Sequence, residues 1–161
     1  MSDLCAVIEV PTGSRNKYEL DHDTGKVWLD RRLFTSMQYP AEYGFIDGTL
    51  AEDGDPLDVL VAVQDPTFPG CHIAVRPIAL MQMADEKGPD AKILAVPSWD
   101  TSFGWNDIGD VPEQLLNEIK HFFERYKDLE KGKFSKVDAW LDRAAAEAEI
   151  RASQERFSAH A

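Results

Sequence analysis

Two short acidic segments carry the side chains with the clearest chemical potential. The first, DGDPLD at residues 53–58, holds three aspartates within six residues. Gly54 and Pro56 are incompatible with a regular helix, so the segment is predicted to turn and to lead into a strand that begins near Asp58. Carboxylates brought together by a turn repel one another unless a cation lies between them. Mg²⁺ is the usual choice, because it takes a few carboxylates and keeps several waters.

A plainer interpretation of this segment is a solvated acidic turn, since Asp and Gly are common turn residues. An EF-hand calcium loop matches poorly. That loop requires Gly at its sixth position and Glu at its twelfth. With Asp53 as the first position, this chain has Asp58 and Gln64 there. The segment alone leaves the turn and the metal site as open alternatives.

The second acidic segment, DEKGPD at residues 85–90, favours the metal site. It again places two aspartates five residues apart around a glycine and a proline, and an apolar strand-like run follows. Two such turns at the same end of a barrel would bring Asp85 and Asp90 close to Asp53 and Asp58. The alternative is two unrelated acidic turns.

Cations bound at such a site require an anionic partner. Basic residues lie near predicted turns and strand ends: Lys17, Arg31, Arg32, Lys92, Lys127 and Lys133. Arginine grips phosphate oxygens as a fork, and lysine acts as a point charge. Tyr39 and Tyr43 lie in QYPAEYGF, which its proline and glycine predict to be irregular. Tyr126 lies on an apolar helix stripe, where a tyrosine is more often part of the core.

Known catalytic motifs of other kinds are missing from the sequence. It contains no GxSxG, P-loop, GxGxxG or HExxH motif, and its histidines show no metal-ligand spacing. Acidic turns combined with phosphate-gripping residues favour metal-assisted phosphoryl transfer to water.

Composition sets further limits on the class of protein. The chain has 161 residues with a net charge of −12 and is predicted to form one domain over residues 1–161. The acidic balance argues against nucleic-acid binding. No apolar run could cross a membrane, no signal peptide is visible, and Cys5 and Cys71 suggest no disulfide framework. A cytoplasmic location is the expectation.

Strands must position these side chains in the first two-thirds of the chain. Strand-like runs lie at 4–10, 56–63, 71–83 and 91–97, and NKYEL and KVWLD flank a DHDTG turn. The run at 71–83 is predicted to bend near Pro77.

The last third of the sequence is predicted to be helical. Leu115, Ile119, Phe122, Phe123 and Tyr126 recur every three or four residues. Asp110 is expected to cap this helix, with Glu113 as its partner and Pro112 in the first turn. A second helix is predicted from about Ser135 to Ser153. The fold class is therefore α+β, interpreted as a small β-barrel with helices outside.

The combined motifs resemble the soluble family I inorganic pyrophosphatases, and most closely their actinobacterial members. DGDPLD, NKYEL, LDR, YPAEYGF, DEKGPDAK and HFFERYKDLEKGK occur in that order and cover most of the chain. The resemblance implies a five-stranded OB-like barrel with additional strands and two C-terminal helices outside, and a homohexamer. It also implies several Mg²⁺ ions, with Mn²⁺ or Zn²⁺ as substitutes.

The resemblance also implies roles for individual residues. The metal ligands would be Asp53, Asp58 (bridging two ions), Asp85, Asp90 and Glu9. Pyrophosphate would be bound by Lys17, Arg31, Tyr43, Tyr126 and Lys127. Asp55 or Asp90 would accept the proton of the attacking water, and Glu19, Tyr39, Lys92 and His22 are possible additional site residues. Lys87 departs from some relatives, which carry histidine at that position.

The expected reaction is hydrolysis of pyrophosphate to two orthophosphates by in-line attack of a metal-bridging hydroxide. Two other classes remain as alternatives: a calcium-binding module without turnover, and an OB-like nucleic-acid binder. A hydrolase of organic pyrophosphates is a narrower alternative.

Overall fold

The computed structural model describes residues 4–160, and these form a mixed β-sheet barrel with two α-helices. The strands within that range are β1 (Leu4–Val10), β2 (Asn16–Leu20), β3 (Val27–Arg32), β4 (Glu42–Ile46), β5 (Asp58–Val61), β6 (His72–Asp85), β7 (Gly88–Pro89), β8 (Lys92–Pro97) and β9 (Ser135–Leu141). The helices are α1 (Glu113–Arg125) and α2 (Arg143–Ala159).

Five strands close into a ring. Strand β1 pairs with β4 and β6, β4 pairs with β5, β5 pairs with β8, and β8 pairs with β6. The β5–β8 pair is parallel, and the other pairs in the ring are antiparallel. Strands β7 and β9 extend β6, while β2 and β3 form a separate hairpin. The prediction of an α+β, OB-like five-stranded barrel with additional strands is confirmed.

The barrel strands have continuous runs of apolar residues in the sequence because both faces of each strand are buried. In β5, Leu60 packs in a cluster that includes Phe122 of α1. Its neighbour Val59 packs in a second cluster that includes Ile150 of α2. The second cluster draws on all five strands of the ring and on α2. In the described part of the chain, neither helix is long and apolar enough to cross a membrane.

Most strand predictions are confirmed with small changes at their ends. The DHDTG segment forms the turn of the β2–β3 hairpin, and Gly25 adopts a φ of 73° there. Strand β6 has a register shift between Pro77 and Ala79, which is the predicted bend. A strand was predicted over residues 56–63, but the observed strand β5 covers only Asp58–Val61. It starts later because the acidic turn extends up to Asp58.

The predicted cap of the first helix is wrong, although its apolar stripe is correct. Helix α1 follows Pro112, which provides no side-chain cap, and it buries Ile119, Phe122 and Phe123. The Asp110 carboxylate instead accepts hydrogen bonds from the N–H groups of Asn106 and Asp107. It therefore stabilises the single 3-10 turn that precedes α1.

The predicted start of the second helix is also wrong. Residues 135–141 form β9, which pairs antiparallel with β6, and α2 begins only at Arg143. Asp142 marks the start, since its carboxylate accepts a hydrogen bond from the N–H of Ala145. The spacing of Val137 and Trp140 is compatible with a helix, but the free edge of β6 offers the segment a ladder of hydrogen bonds.

The QYPAEYGF segment was predicted to be irregular, but its second half forms β4. Gly44 explains how the chain fits between β1 and β5. A Cβ atom at this position would lie 1.9 Å from the carbonyl oxygen of Val7. The strand can therefore approach β1 only without a side chain at this point.

We expect Gly44→Ala to destabilise the protein by about 1–3 kcal/mol, because the added methyl group forces β1 and β4 apart. Urea unfolding measures the loss. Gly109→Ala is the matched control, since its new Cβ would have no neighbour within 4 Å. Equal unfolding midpoints for the two variants would contradict the close approach of β1 and β4.

Candidate active site

One cavity of about 450 Å³ collects the site residues predicted from the sequence. Every one of them lines it: Glu9, Lys17, Glu19, His22, Arg31, Tyr39, Tyr43, Asp53, Asp55, Asp58, Asp85, Asp90, Lys92, Tyr126 and Lys127. The structure thus brings together the acidic turns and the basic and phenolic residues. Their individual roles remain predictions.

The parallel pairing of β5 with β8 explains why the two acidic turns meet. Both turns lead directly into these strands, and Asp58 lies opposite Lys92 in their register. The first turn is held by the Asp53 carboxylate, which accepts a hydrogen bond from the N–H of Asp55 at 2.9 Å. Gly54 has a φ of 91°, a conformation that favours glycine. Burial raises the pKa of Asp53.

Lys92 is a buried cation that lies between the two acidic turns. Its side chain is 1% exposed, and Nζ lies 2.8 Å from Asp58 Oδ2 and 3.1 Å from Asp90 Oδ2. Nζ also donates to the Tyr43 hydroxyl at 2.8 Å. Burial lowers the pKa of Lys92, but the two aspartates outweigh it and hold the pKa above its ordinary value. Burial raises the pKa of Asp90, although Lys92 opposes this effect.

Lys127 plays a similar part on the second acidic turn. Its Nζ lies 3.4 Å from Asp85 Oδ2 and 3.5 Å from Glu86 Oε2. The Asp85 carboxylate also accepts a hydrogen bond from the N–H of Lys87 at 2.9 Å. Burial raises the pKa of Asp85, but this hydrogen bond and Lys127 outweigh it, so that the pKa lies below its ordinary value.

The donor set of the cavity fits a hard divalent cation. Among residues 4–160, no three acidic, histidine or cysteine side chains converge closely enough to hold a metal ion by themselves. Mg²⁺ needs only one or two carboxylates besides water and substrate oxygens, so spaced carboxylates are suitable. The ammonium groups of Lys92 and Lys127 already lie between carboxylate pairs, which shows that these positions attract positive charge. The donors are oxygens rather than the sulfur and nitrogen typical of zinc sites, and His22 is the one imidazole among the lining residues.

Glu9 connects β1 to the β2–β3 hairpin. Its Oε2 accepts a hydrogen bond from the N–H of Leu20 at 2.8 Å. Burial raises the pKa of Glu9 from 4.5 to about 7, and the nearby charges of Asp58 and Glu19 add to this effect. The hydrogen bond and Lys17 oppose it without cancelling it. In the metal-free protein, Glu9 therefore takes up a proton near neutral pH.

We expect the stability of the metal-free protein to fall as pH rises from 4.5 to 7 because of Glu9. The raised pKa means that the folded state holds a proton that the unfolded state has already released in this range. The contribution is fully present below the unfolded pKa and is lost as pH passes the folded pKa, at a cost on the order of 2 kcal/mol. Urea unfolding in EDTA measures it. Glu9→Gln should flatten this part of the profile, and an unchanged slope in that variant would contradict the assignment.

The basic and phenolic residues surround the remaining part of the cavity. Lys17 Nζ lies 3.2 Å from Glu19 Oε1, and both belong to the hairpin. Tyr39 and Tyr126 are buried, with 1% and 8% exposure, and belong to the core cluster that α1 covers. Burial raises the pKa of Tyr39 and of Tyr43, so both phenols keep their protons. Among the residues that the structure describes, the Tyr39 hydroxyl has no hydrogen-bond partner, whereas the Tyr43 hydroxyl accepts from Lys92. Tyr126 is therefore both a core residue and a lining residue.

The structure adds lining residues that sequence reasoning did not assign to the site. Glu86, Lys87 and Lys133 line the same cavity, as does Tyr18. Glu86 stands within DEKGPD, so its position beside Asp85 was an available signal. Lys133 was noted only as one of several basic residues. His22 lines the cavity with its ring centroid 5.0 Å from that of Phe45.

The fold and the cavity are those of an OB-barrel protein with a mixed acidic and basic site. Comparison with known proteins gives the family. The inorganic pyrophosphatase family model matches residues 6–158, and the chain belongs to this family.

Similar proteins include actinobacterial ones, as expected from the sequence. The inorganic pyrophosphatase of Leifsonia xyli is 55% identical over 156 residues, which cover 94% of each chain. That of Streptomyces coelicolor is 56% identical over 151 residues, or 93% of each chain. The crystal structure of inorganic pyrophosphatase from Thermus thermophilus has a TM-score of 0.92 at 52% identity, covering 96% of this chain and 90% of that one.

Proposed function

We propose that this protein hydrolyses inorganic pyrophosphate to two orthophosphates with Mg²⁺ as cofactor. The observation that carries the proposal is one cavity in which two acidic turns face a set of cationic and phenolic groups, in a chain of the inorganic pyrophosphatase family. The acidic side supplies hard oxygen ligands for cations. The basic side supplies donors for phosphate oxygens.

Each metal position would use few protein ligands. The family resemblance assigns Asp53, Asp58 and Asp90 to one ion and Asp58 also to a second. Within residues 4–160 no three acidic side chains converge closely enough to hold an ion by themselves, so these carboxylates would have to draw together when the metal binds. Asp85 and Asp90 would hold an ion that enters with substrate. Glu9 would be a further metal ligand, and Glu19 would line the same acidic side of the cavity. When bound, Mg²⁺ would neutralise phosphate charge and lower the pKa of water. Mn²⁺ has the same preference for oxygen ligands and is the expected substitute, whereas this donor set is less suited to Zn²⁺.

The chain's own residues would orient the reactants and move one proton. Water oxygen forms a bond to one phosphorus, the bridging P–O bond breaks toward the other phosphate, and the proton of the water passes to Asp55 or Asp90. The departing phosphate gains negative charge. Arg31 and Lys127 would stabilise it, together with Lys17 and the hydroxyl groups of Tyr43 and Tyr126.

The family resemblance and the composition of the chain support proposals on domain organisation, oligomeric state and location. We infer a single catalytic domain that assembles as a homohexamer and acts in the cytoplasm, where it draws biosynthetic reactions forward by removing pyrophosphate. The net charge of −12 supports the absence of a nucleic-acid partner.

Phosphate release by the purified full chain tests the proposed function. We expect rapid release from pyrophosphate with Mg²⁺, none in EDTA, and slow or no release from nucleoside triphosphates. Metal binding without turnover would support a calcium-binding module instead. Faster turnover of nucleotides than of pyrophosphate would support a hydrolase of organic pyrophosphates. Salt-sensitive binding to single-stranded nucleic acid without turnover would support an OB-like nucleic-acid binder.

A further inference from the structure

Glu130 is a buried carboxylate behind the wall of the cavity, and the reaction described above does not use it. Its side chain is 5% exposed, and it is not among the lining residues. It lies in the turn after α1, where its N–H donates to the carbonyl of Lys127 at 2.8 Å. Its own carbonyl accepts from the N–H of Lys133 at 3.3 Å. The turn therefore connects Glu130 with two cations that line the cavity.

Two cationic side chains converge on one oxygen of Glu130. Arg31 Nη2 lies 3.1 Å from Glu130 Oε1, and Lys133 Nζ lies 3.6 Å from the same atom. Arg31 belongs to β3 and Lys133 to the turn after α1, so this carboxylate joins two separate segments of the wall. Arg31 Nη1 also contacts Asp30 Oδ2 at 3.1 Å. The guanidinium is thus restrained by two carboxylates.

The contact between Arg31 and Glu130 leaves hydrogen-bonding capacity unused. Within residues 4–160, Arg31 Nε and Glu130 Oε2 are both buried and have no hydrogen-bond partner. A guanidinium and a carboxylate can form two parallel hydrogen bonds, so these two atoms are complementary. An unpaired buried polar group is unfavourable, so both atoms have capacity for a further hydrogen-bond partner.

We propose that Glu130 is a positioning residue that holds Arg31 and Lys133 in the orientation needed to bind a phosphate group. The inference rests on the proposed function, in which Arg31 contacts the phosphate. Arginine and lysine side chains have many rotamers, and fixing them before substrate arrives lowers the entropy lost on binding. Glu130 acts through its two partners and does not itself touch the substrate.

A mutant cycle tests this role. Glu130→Gln keeps the size of the side chain and removes its charge, and we expect kcat/KM for pyrophosphate to fall about 10–100-fold. The background variant carries Arg31→Lys, which keeps the charge but loses the planar guanidinium, together with Lys133→Met. If Glu130 acts through these two cations, adding Glu130→Gln to that background should cost no more than about threefold further. A loss that multiplies in that background would show a role independent of both cations and overturn the proposal.

A matched ion pair outside the cavity supplies the control. Arg143 Nε lies 2.7 Å from Glu147 Oε1 on α2, and neither residue lines the cavity. Glu147→Gln removes the same kind of charge and should leave kcat/KM within about twofold of the wild type, because this half-exposed pair lies away from the cavity. A loss as large as that of Glu130→Gln would show that removal of any such carboxylate is harmful.

Binding of imidodiphosphate with Mg²⁺ separates this proposal from the proposed function. This non-hydrolysable probe reports affinity by calorimetry without turnover. If the wild type binds it but hydrolyses no pyrophosphate, and Glu130→Gln weakens binding through Arg31, the proposed function fails and the positioning role stands. If the wild type hydrolyses pyrophosphate and Glu130→Gln matches it in rate and affinity, only the positioning role fails. A wild type that neither binds nor hydrolyses overturns both.

Discussion

Asp58→Asn is expected to reduce Mg²⁺-dependent phosphate release by at least about 10²-fold, because it removes the charge of the carboxylate assigned to bridge two metal ions. The substitution keeps the size of the side chain. Its amide oxygen can still accept the hydrogen bond that Lys92 Nζ makes to Asp58 Oδ2 at 2.8 Å. The fold should therefore persist while metal affinity falls. Phosphate release over a range of Mg²⁺ concentrations, with calorimetric titration of the metal, measures both effects.

Asp65→Asn is the control for the loss of one aspartate charge. Asp65 is exposed and does not line the cavity, so its substitution should leave rate and metal affinity unchanged. Raising Mg²⁺ should restore only part of the activity of Asp58→Asn, since the bridging ligand is absent at any concentration. Near-wild-type turnover in Asp58→Asn would rule out the bridging role.

Lys92→Met should lower the stability of the metal-free protein by about 2–4 kcal/mol. Removing one partner of a buried ion pair leaves uncompensated charge, here on Asp58 and Asp90. These carboxylates keep 27% and 17% side-chain exposure, which places the loss below that of a fully buried pair. Bound Mg²⁺ can replace the lost positive charge and binds only the folded state, so it should recover part of the stability. Urea unfolding in EDTA and in Mg²⁺ gives the two values.

Lys136→Met is the matched control for the loss of a lysine. Its side chain is 77% exposed and its nearest carboxylate is 4.0 Å away, so we expect a change within about 0.5 kcal/mol. A Lys92→Met variant as stable as this control in EDTA would show that Lys92 does not balance the acidic turns. An equal loss of stability in EDTA and in Mg²⁺ would show that the metal does not replace the positive charge of Lys92.

Much of the barrel could be predicted because its strands are marked locally. The strands of the β2–β3 hairpin are separated by turn residues, and the bend of β6 falls at a proline.

The C-terminal part of the chain was harder to predict. Residues 135–141 have a spacing compatible with a helix, and only the available edge of β6 makes them a strand. The edge belongs to a distant part of the sequence, so no local pattern reports it. Gly44 likewise appears as a helix or strand breaker until β1 is placed beside it.

The sequence by itself determined the chemical content of the site. Asp53, Asp58, Asp85 and Asp90 stand out by their spacing, because the glycine and proline within each segment favour a change of chain direction beside the aspartates. Tertiary structure decided which of the other residues belong with them. Parallel pairing of β5 with β8 buries Lys92 between two aspartates, and packing of the turn after α1 against β3 brings Glu130 to Arg31. Turn formation depends on neighbouring residues, whereas burial and ion pairing depend on segments that meet only when the barrel closes.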